Sequence, residues 1–124
     1  MLRHVLESWL LIFRCDILMR FHGFESVHRA VRSQKVSTGH LTDRSYIALC
    51  QAVDVACVFY FKRVLCLQRS AATALLLKRF GWPAELVIGA QLIPFESHAW
   101  VEIDRTVVND KPYISDIYEE LERC

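Results

Sequence analysis

The spacing of apolar residues changes from helical to extended at Gly81-Trp82-Pro83, and this change sets the fold class. Before it, apolar side chains recur every three or four residues, a pattern that predicts helices. After it, short apolar runs alternate with turn residues, a pattern that predicts strands. Helices followed by strands indicate an α+β fold, in which N-terminal helices and one central helix pack on a small antiparallel sheet.

The central helix is predicted from Cys66 to Phe80, because its residues favour helices and are apolar on nearly every side. Such a helix is covered by its neighbours, and Gly81 is suited to end it. The other predicted helices are residues 2–20, a short helix capped by the hydroxyl of Ser26, a helix with Thr42 as N-cap, and an acidic tail helix over Ile114–Leu121. The predicted strands are Glu85–Ala90, His98–Ile103 and Thr106–Val108.

The length of 124 residues suits one compact domain. We expect residues 1–41 to form a helical extension and residues 42–124 to form the core. Apolar residues make up 53% of the chain, which favours a packed core over disorder and leaves apolar side chains for a partner-binding face. The net charge is +1 and the chain has no block of lysine or arginine, so nucleic acid is not an expected partner.

Cysteine usage and the N-terminal apolar run indicate a cytoplasmic protein. The five cysteines are odd in number and form no CxxC pair, which argues against a disulfide framework and a zinc site. A reducing cytosol suits such a chain. The apolar run Trp9–Phe13 is bracketed by charges and is too short to span a bilayer. We interpret it as part of a helix that is buried or faces a partner.

Cys66, His98 and Asp110 occur in the order of a thiol nucleophile, its general base and a group that orients the base. Cys66 is predicted to begin a helix, where the dipole and unpaired backbone N–H groups favour the thiolate and can bind an oxyanion. His98 begins a predicted strand and would take up the thiol proton. Asp110 follows the next strand and would hold one ring nitrogen of His98.

The hairpin between His98 and Asp110 imposes a condition on this arrangement. A two-residue turn at Asp104-Arg105 would place Asp110 opposite Ala99, on the wrong face of the hairpin. Asp110 therefore reaches His98 only if the loop has three residues, if a bulge shifts the register, or if Asp110 lies beyond the regular pairing.

The residues alone leave other interpretations open. Cys66 could be a buried cysteine at a helix start, His98 a strand histidine with satisfied hydrogen bonds, and Asp110 a turn residue before Lys-Pro. Trp100 and Glu102 share a face with His98. Trp100 is interpreted as a packing residue beside the site, and Glu102 as a solvated strand residue rather than a second orienting acid.

Several spaced blocks between about Ala52 and Asp110 agree in order and separation with one known family. They are Cys66-Leu67-Gln68-Arg69-Ser70, Ala74–Gly81, Leu86–Gly89, Pro94-Phe95, His98–Glu102 and Val107–Asp110. Together they resemble the lasso-peptide leader peptidases, a bacterial branch of the transglutaminase-like cysteine protease superfamily.

One departure from the family pattern is Asp104-Arg105, where relatives often carry Asp-Gly. Without the glycine, a turn that needs positive φ at that position is disfavoured, which is compatible with an altered register.

The resemblance implies a transglutaminase-like or papain-like core with Cys66 as nucleophile, His98 as base and Asp110 as orienting acid. The implied reaction is hydrolysis of one peptide bond in a ribosomally made lasso-peptide precursor, which removes the leader without a cofactor, metal or ATP. The implied partners are the precursor, a separate small leader-recognition protein and an ATP-dependent lactam synthetase. The short helical N-terminal region indicates the form whose recognition domain is a separate protein.

Two other functions are compatible with the same residues. A transglutaminase or acyltransferase would use the same triad and differ only in its acceptor, an amine instead of water. A non-catalytic scaffold of a peptide-maturation complex would bind a partner through the N-terminal helices. The presence of Cys66, His98 and Asp110 argues against the scaffold.

Overall fold

The computed structural model describes residues 2–37, 45–92 and 94–124, and it confirms the α+β fold class. Helices precede the sheet along most of the chain. The elements are α1 (Leu2–His22), α2 (Phe24–Ser33), α3 (Tyr46–Val58), α4 (Cys66–Arg79), β1 (Ala84–Leu92), β2 (Phe95–Ile103), β3 (Thr106–Val107), α5 (Ile114–Ile117) and β4 (Glu119–Arg123).

Helix α4 lies at the centre of the molecule, as its apolar composition predicts. Every residue from Ser70 to Lys78 is buried, and α4 packs against α1, α2, α3, β1 and β2. Burial of an apolar side chain such as Leu75 or Leu76 contributes about 1.5–3 kcal/mol, so this helix dominates the core. The hydrophobic core cluster that contains Leu75 and Leu76 also contains residues of α1 and α2, including Ile12 and Val31. The division into an extension (1–41) and a core (42–124) stays a prediction.

The helix boundaries follow the expected chemistry with one correction. Gly23 ends α1 with a positive φ of 81°, and its N–H donates to the carbonyl of Met19 at 3.2 Å. Ser26 does not cap α2, because it lies within the first turn and its hydroxyl donates to the carbonyl of Gly23 at 2.7 Å. The predicted cap Thr42 lies outside the described residues. The hydroxyl of Ser45 accepts from the N–H of Ile47 at the start of α3.

The four strands form one antiparallel sheet in the order β3-β2-β1-β4. Strands β1 and β2 pair along their whole length, and Gly89 lies opposite His98. The sheet packs one face on α4. Its other face carries a smaller apolar cluster of Val87, Trp100 and Ile114.

The tail differs from the predicted helix over Ile114–Leu121. Only Ile114–Ile117 is helical, and Glu119–Arg123 forms β4, which pairs with the free edge of β1. An exposed strand edge has unpaired N–H and C=O groups, and β4 satisfies them. Arg123 in β4 contacts the carboxylates of Glu85, Glu102 and Glu120 at 2.7–3.2 Å. These long-range pairings override the local helical preference of an acidic segment.

The β2–β3 hairpin has a two-residue turn in which both Asp104 and Arg105 have positive φ, 50° and 66°. Ile103 pairs with Thr106, so the register is that of an ordinary two-residue hairpin. The turn adopts positive φ although it lacks glycine, and the register is not altered. A turn with positive φ at both positions follows the twist of paired strands, and the pairing outweighs the local strain.

Apolar side chains of α1 remain on the surface. Leu2, Leu6 and Leu10 are each more than half exposed. A groove of about 690 Å³ lies between α1 and α3. Its lining is apolar: Leu2, Val5, Leu6, Trp9, Val55 and Phe59. Within the described residues, no helix has both the length and the apolar character needed to cross a bilayer.

Candidate active site

Cys66 is the first residue of α4, as predicted from the sequence. The N-cap residue Leu65 has an extended backbone and no polar side chain, so it cannot satisfy the N–H groups of the first turn. These groups and the helix dipole create positive potential around the partly buried thiol. The position therefore suits a thiolate and, in a reaction, an oxyanion.

His98 and Asp110 lie in direct contact. Nε2 of His98 is 2.6 Å from Oδ2 of Asp110, and the two side chains are 23% and 18% exposed. A neutral imidazole that donates Nε2–H to a carboxylate has its second ring nitrogen, Nδ1, available to accept a proton. The pair therefore has the arrangement of a general base and its orienting acid.

The carboxylate of Asp110 has a donor at each oxygen. The backbone N–H of Lys111 donates to Oδ1 at 2.8 Å, while His98 contacts Oδ2. Burial raises the pKa of Asp110, but the hydrogen bonds from His98 and Lys111 and the charges of His98 and Arg69 outweigh it. The pKa of Asp110 is thus lowered from its ordinary value of 3.8, and the group stays ionised at neutral pH.

Asp110 reaches His98 because it lies beyond the regular pairing of β2 and β3. The loop has two residues, so this was one of the arrangements that the sequence left open. The N–H of Val108 still donates to the carbonyl of Val101 at 2.9 Å. The N–H of Val101 donates instead to the side-chain Oδ1 of Asn109 at 2.7 Å. The main chain therefore leaves the ladder of hydrogen bonds at Asn109. Asp110 consequently does not have to lie on the face of the hairpin that the register would assign to it.

Tyr118 covers the His98 ring and was missed from the sequence. The two rings stack with centroids 5.3 Å apart and an interplanar angle of 23°. The phenol oxygen lies 3.2 Å from Oε2 of Glu96 and donates to it. A Cβ at Gly89 would lie 2.9 Å from the Tyr118 Cβ, so the absence of a side chain at Gly89 permits this close approach. The predicted tail helix concealed Tyr118, because only the β4 pairing brings it to the site.

Electrostatics link Cys66 to this cluster. Desolvation, the hydrogen bond to Glu96, and then the charges of Glu96, Cys66 and Asp110 raise the pKa of Tyr118. Helix α4 and strand β2, which carry Cys66 and His98, pack directly on each other.

The family of the chain follows from comparison with known proteins. A model of the transglutaminase-like superfamily matches residues 9–123. The chain belongs to the transglutaminase-like superfamily. It is also 43% identical over 51 residues to the microcin J25-processing protein McjB of Escherichia coli. That match covers 41% of this chain and 24% of McjB. No solved structure matches. The resemblance found in the sequence motifs is confirmed by these two matches.

Glu102 of this transglutaminase-like chain is a buried structural residue, so the interpretation as a solvated residue was wrong. It is 3% exposed, accepts from Nε1 of Trp100 at 2.8 Å and pairs with Arg123 at 2.9 Å. Both carboxylate oxygens are engaged away from His98. Trp100 is 1% exposed and packs beside the His98 ring, which confirms its interpretation as a packing residue.

The other four cysteines are buried or partly buried. Burial raises the pKa of Cys15 to about 12 and that of Cys50 to about 11. Burial also raises the pKa values of Cys57 and Cys124. These four thiols are therefore protonated at neutral pH. Among the described residues, no group of three or more His, Cys, Asp or Glu side chains is arranged to hold a metal ion.

Proposed function

We propose that this protein is a cysteine peptidase that removes the leader from a ribosomally made lasso-peptide precursor. The observation that carries the proposal is the 2.6 Å contact of His98 with Asp110, next to a buried helix that begins at Cys66. The transglutaminase-like family supports thiol-based acyl chemistry. The similarity to a microcin-processing protein supports a precursor peptide as substrate.

In the proposed reaction, the Cys66 thiol gives its proton to Nδ1 of His98 and the sulfur attacks the scissile carbonyl carbon. The tetrahedral oxyanion is stabilised by backbone N–H groups at the start of α4. His98 then protonates the leaving amine, which is the new N-terminus of the core peptide. Water hydrolyses the thioester, releases the leader as a carboxylate and restores the thiol. Asp110 stabilises the imidazolium at each stage.

The proposed partners are the precursor, a separate small leader-recognition protein and an ATP-dependent lactam synthetase that uses the freed N-terminus. The recognition protein is proposed to bind the apolar groove between α1 and α3. The apolar lining of this groove and the exposed leucines of α1 support a role in binding. We place the reaction in the cytoplasm, where the five free thiols would stay reduced.

The proposal is tested by mixing the protein with a recognition protein and a precursor from neighbouring reading frames, and following product masses. We expect cleavage at one site, with water added to the new carboxyl end. Cys66→Ala and His98→Ala should abolish cleavage, and Asp110→Ala should lower kcat less completely, by about a hundredfold or more. Cys57→Ala, which alters a partly buried thiol outside the site, is the matched control and should cleave normally.

Three outcomes would contradict the proposal in different ways. Product with an added amine instead of water would identify an acyltransferase. Binding of the precursor complex without any cleavage would identify a scaffold. Undiminished cleavage by the folded Cys66→Ala protein would remove Cys66 from the mechanism.

A further inference from the structure

Asn109 joins three parts of the fold that carry the proposed catalytic residues. Its side-chain Oδ1 accepts from the N–H of Val101 at 2.7 Å, and its Nδ2 donates to the hydroxyl of Ser70 at 3.0 Å. Its backbone carbonyl accepts from the guanidinium of Arg69. The Ser70 hydroxyl in turn donates to the carbonyl of Ala99 at 3.0 Å. We call Asn109, Ser70 and Arg69 the Asn109 bridge.

Each catalytic residue is close in sequence to one end of this bridge. Ser70 lies four residues after Cys66, which is about one turn further along the same side of α4. Ala99 follows His98 in β2, and Asn109 precedes Asp110. The bridge therefore fixes the helix of the nucleophile, the strand of the base and the segment of the orienting acid against one another.

The chemistry of the bridge requires an amide at position 109. The side-chain oxygen of Asn109 must accept from the N–H of Val101, which in a regular ladder would donate to a backbone carbonyl. One N–H must donate to Ser70, whose own proton is used on Ala99. Aspartate has no donor, and alanine has neither group. Ser70 is 1% exposed, so water is poorly placed to substitute for a lost partner.

We propose that Asn109 and Ser70 are positioning residues, which hold Asp110 on Nε2 of His98 and hold both relative to Cys66. This inference rests on the proposed function and adds residues to that same site. Neither side chain needs to touch the substrate. Their removal should lower kcat and leave KM nearly unchanged, because the geometry of the reacting groups changes and the peptide-binding surface does not. A displacement of about 1 Å is enough to lower a rate roughly a hundredfold.

The test compares Ser70→Ala and Asn109→Ala with Thr73→Val. Thr73 is also buried on α4, but its hydroxyl donates to the backbone carbonyl of Arg69 within the helix. Thr73→Val therefore removes one buried hydroxyl that bonds neither Asn109 nor Ser70 and is the matched control. The first readout is kcat and KM for leader cleavage. The second is the rate of carbamidomethylation of Cys66 by iodoacetamide from pH 4 to 10, measured on the Cys66 peptide by mass spectrometry.

We expect Ser70→Ala and Asn109→Ala to lower kcat by about ten- to a hundredfold and to move the inflection of the Cys66 alkylation profile. Thr73→Val should resemble the wild type in both readouts. Wild-type profiles in the two bridge variants, or equal losses in Thr73→Val, would overturn the proposal. If Asn109→Ala does not fold, Ser70→Ala alone decides, because it keeps the Asn109–Val101 bond. The alkylation profile needs no leader peptide, so a failure of leader cleavage in the wild type leaves this test intact.

Discussion

The pairing of His98 with Asp110 is the residue-scale feature on which the proposed chemistry depends. Asp110 holds Nε2 of His98 through one oxygen and the Lys111 N–H through the other. This fixes the tautomer of the ring and leaves Nδ1 available for the proposed role as base. The same contacts lower the pKa of Asp110 against the effect of its burial.

The lowered pKa of Asp110 predicts a pH-dependent contribution to stability. The folded pKa lies below the ordinary value of 3.8, so this contribution is present above about pH 4 and is lost as the pH falls through the folded pKa. We expect Asp110→Asn to lower the free energy of unfolding by about 1 kcal/mol at pH 7, and the difference from wild type to shrink below pH 4. Urea unfolding at a series of pH values measures it. A difference that stays constant down to pH 3 would contradict the assignment.

Residue chemistry alone identified Cys66, His98 and Asp110 as candidates, but it did not identify the groups that support them. Asn109 and Ser70 have no recognisable signal as single residues, because their role depends on three elements meeting. Tyr118 was concealed by the helical character of its neighbours. Supporting residues are defined by tertiary contacts, and these are not encoded in local spacing.

At the scale of elements, the β2–β3 hairpin shows how pairing overrides a local preference. Its register keeps Ile103 opposite Thr106, at the cost of positive φ at Asp104 and Arg105. Arginine has a Cβ that disfavours this conformation, whereas aspartate tolerates it better. The strain is therefore concentrated at Arg105.

This strain predicts a stabilising substitution. Arg105→Gly should raise the free energy of unfolding by about 1 kcal/mol, because glycine adopts positive φ without the Cβ penalty. Thermal or urea unfolding measures the gain, and Asp104→Gly is the matched control with a smaller expected effect. The rate of the proposed leader cleavage should not change, since His98 lies five residues before Ile103, where β2 enters the turn. A loss of stability in Arg105→Gly would show that the arginine side chain contributes more than its backbone costs.

The competition between local conformational preference and strand pairing also explains which elements were predicted correctly. Helix α4 and strands β1 to β3 follow from apolar spacing and from Gly81 and Pro94 at their ends. Strand β4 does not, because its acidic residues favour no sheet on their own. It forms because β1 offers a free edge and because Arg123 meets buried Glu102 there.

At the scale of the whole molecule, one core joins the N-terminal helices to the helix that carries Cys66. Arg79 pairs with Glu7 of α1 at 3.1 Å, and the buried Lys78 donates to the carbonyl of Val31 in α2 at 2.7 Å. The groove between α1 and α3 therefore belongs to the same packed body as α4. A partner bound in that groove would be held at a fixed distance from Cys66.

The most direct measurement of the central claim is the mass of the covalent intermediate. The protein, a recognition protein and a precursor are mixed, quenched in acid within the first turnover, and digested for mass spectrometry. We predict that the Cys66 peptide gains the mass of the leader less one water, as a thioester, and that the Cys57→Ala protein forms the same adduct. An adduct at another cysteine, or release of the leader by Cys66→Ala at the wild-type rate, would contradict the account.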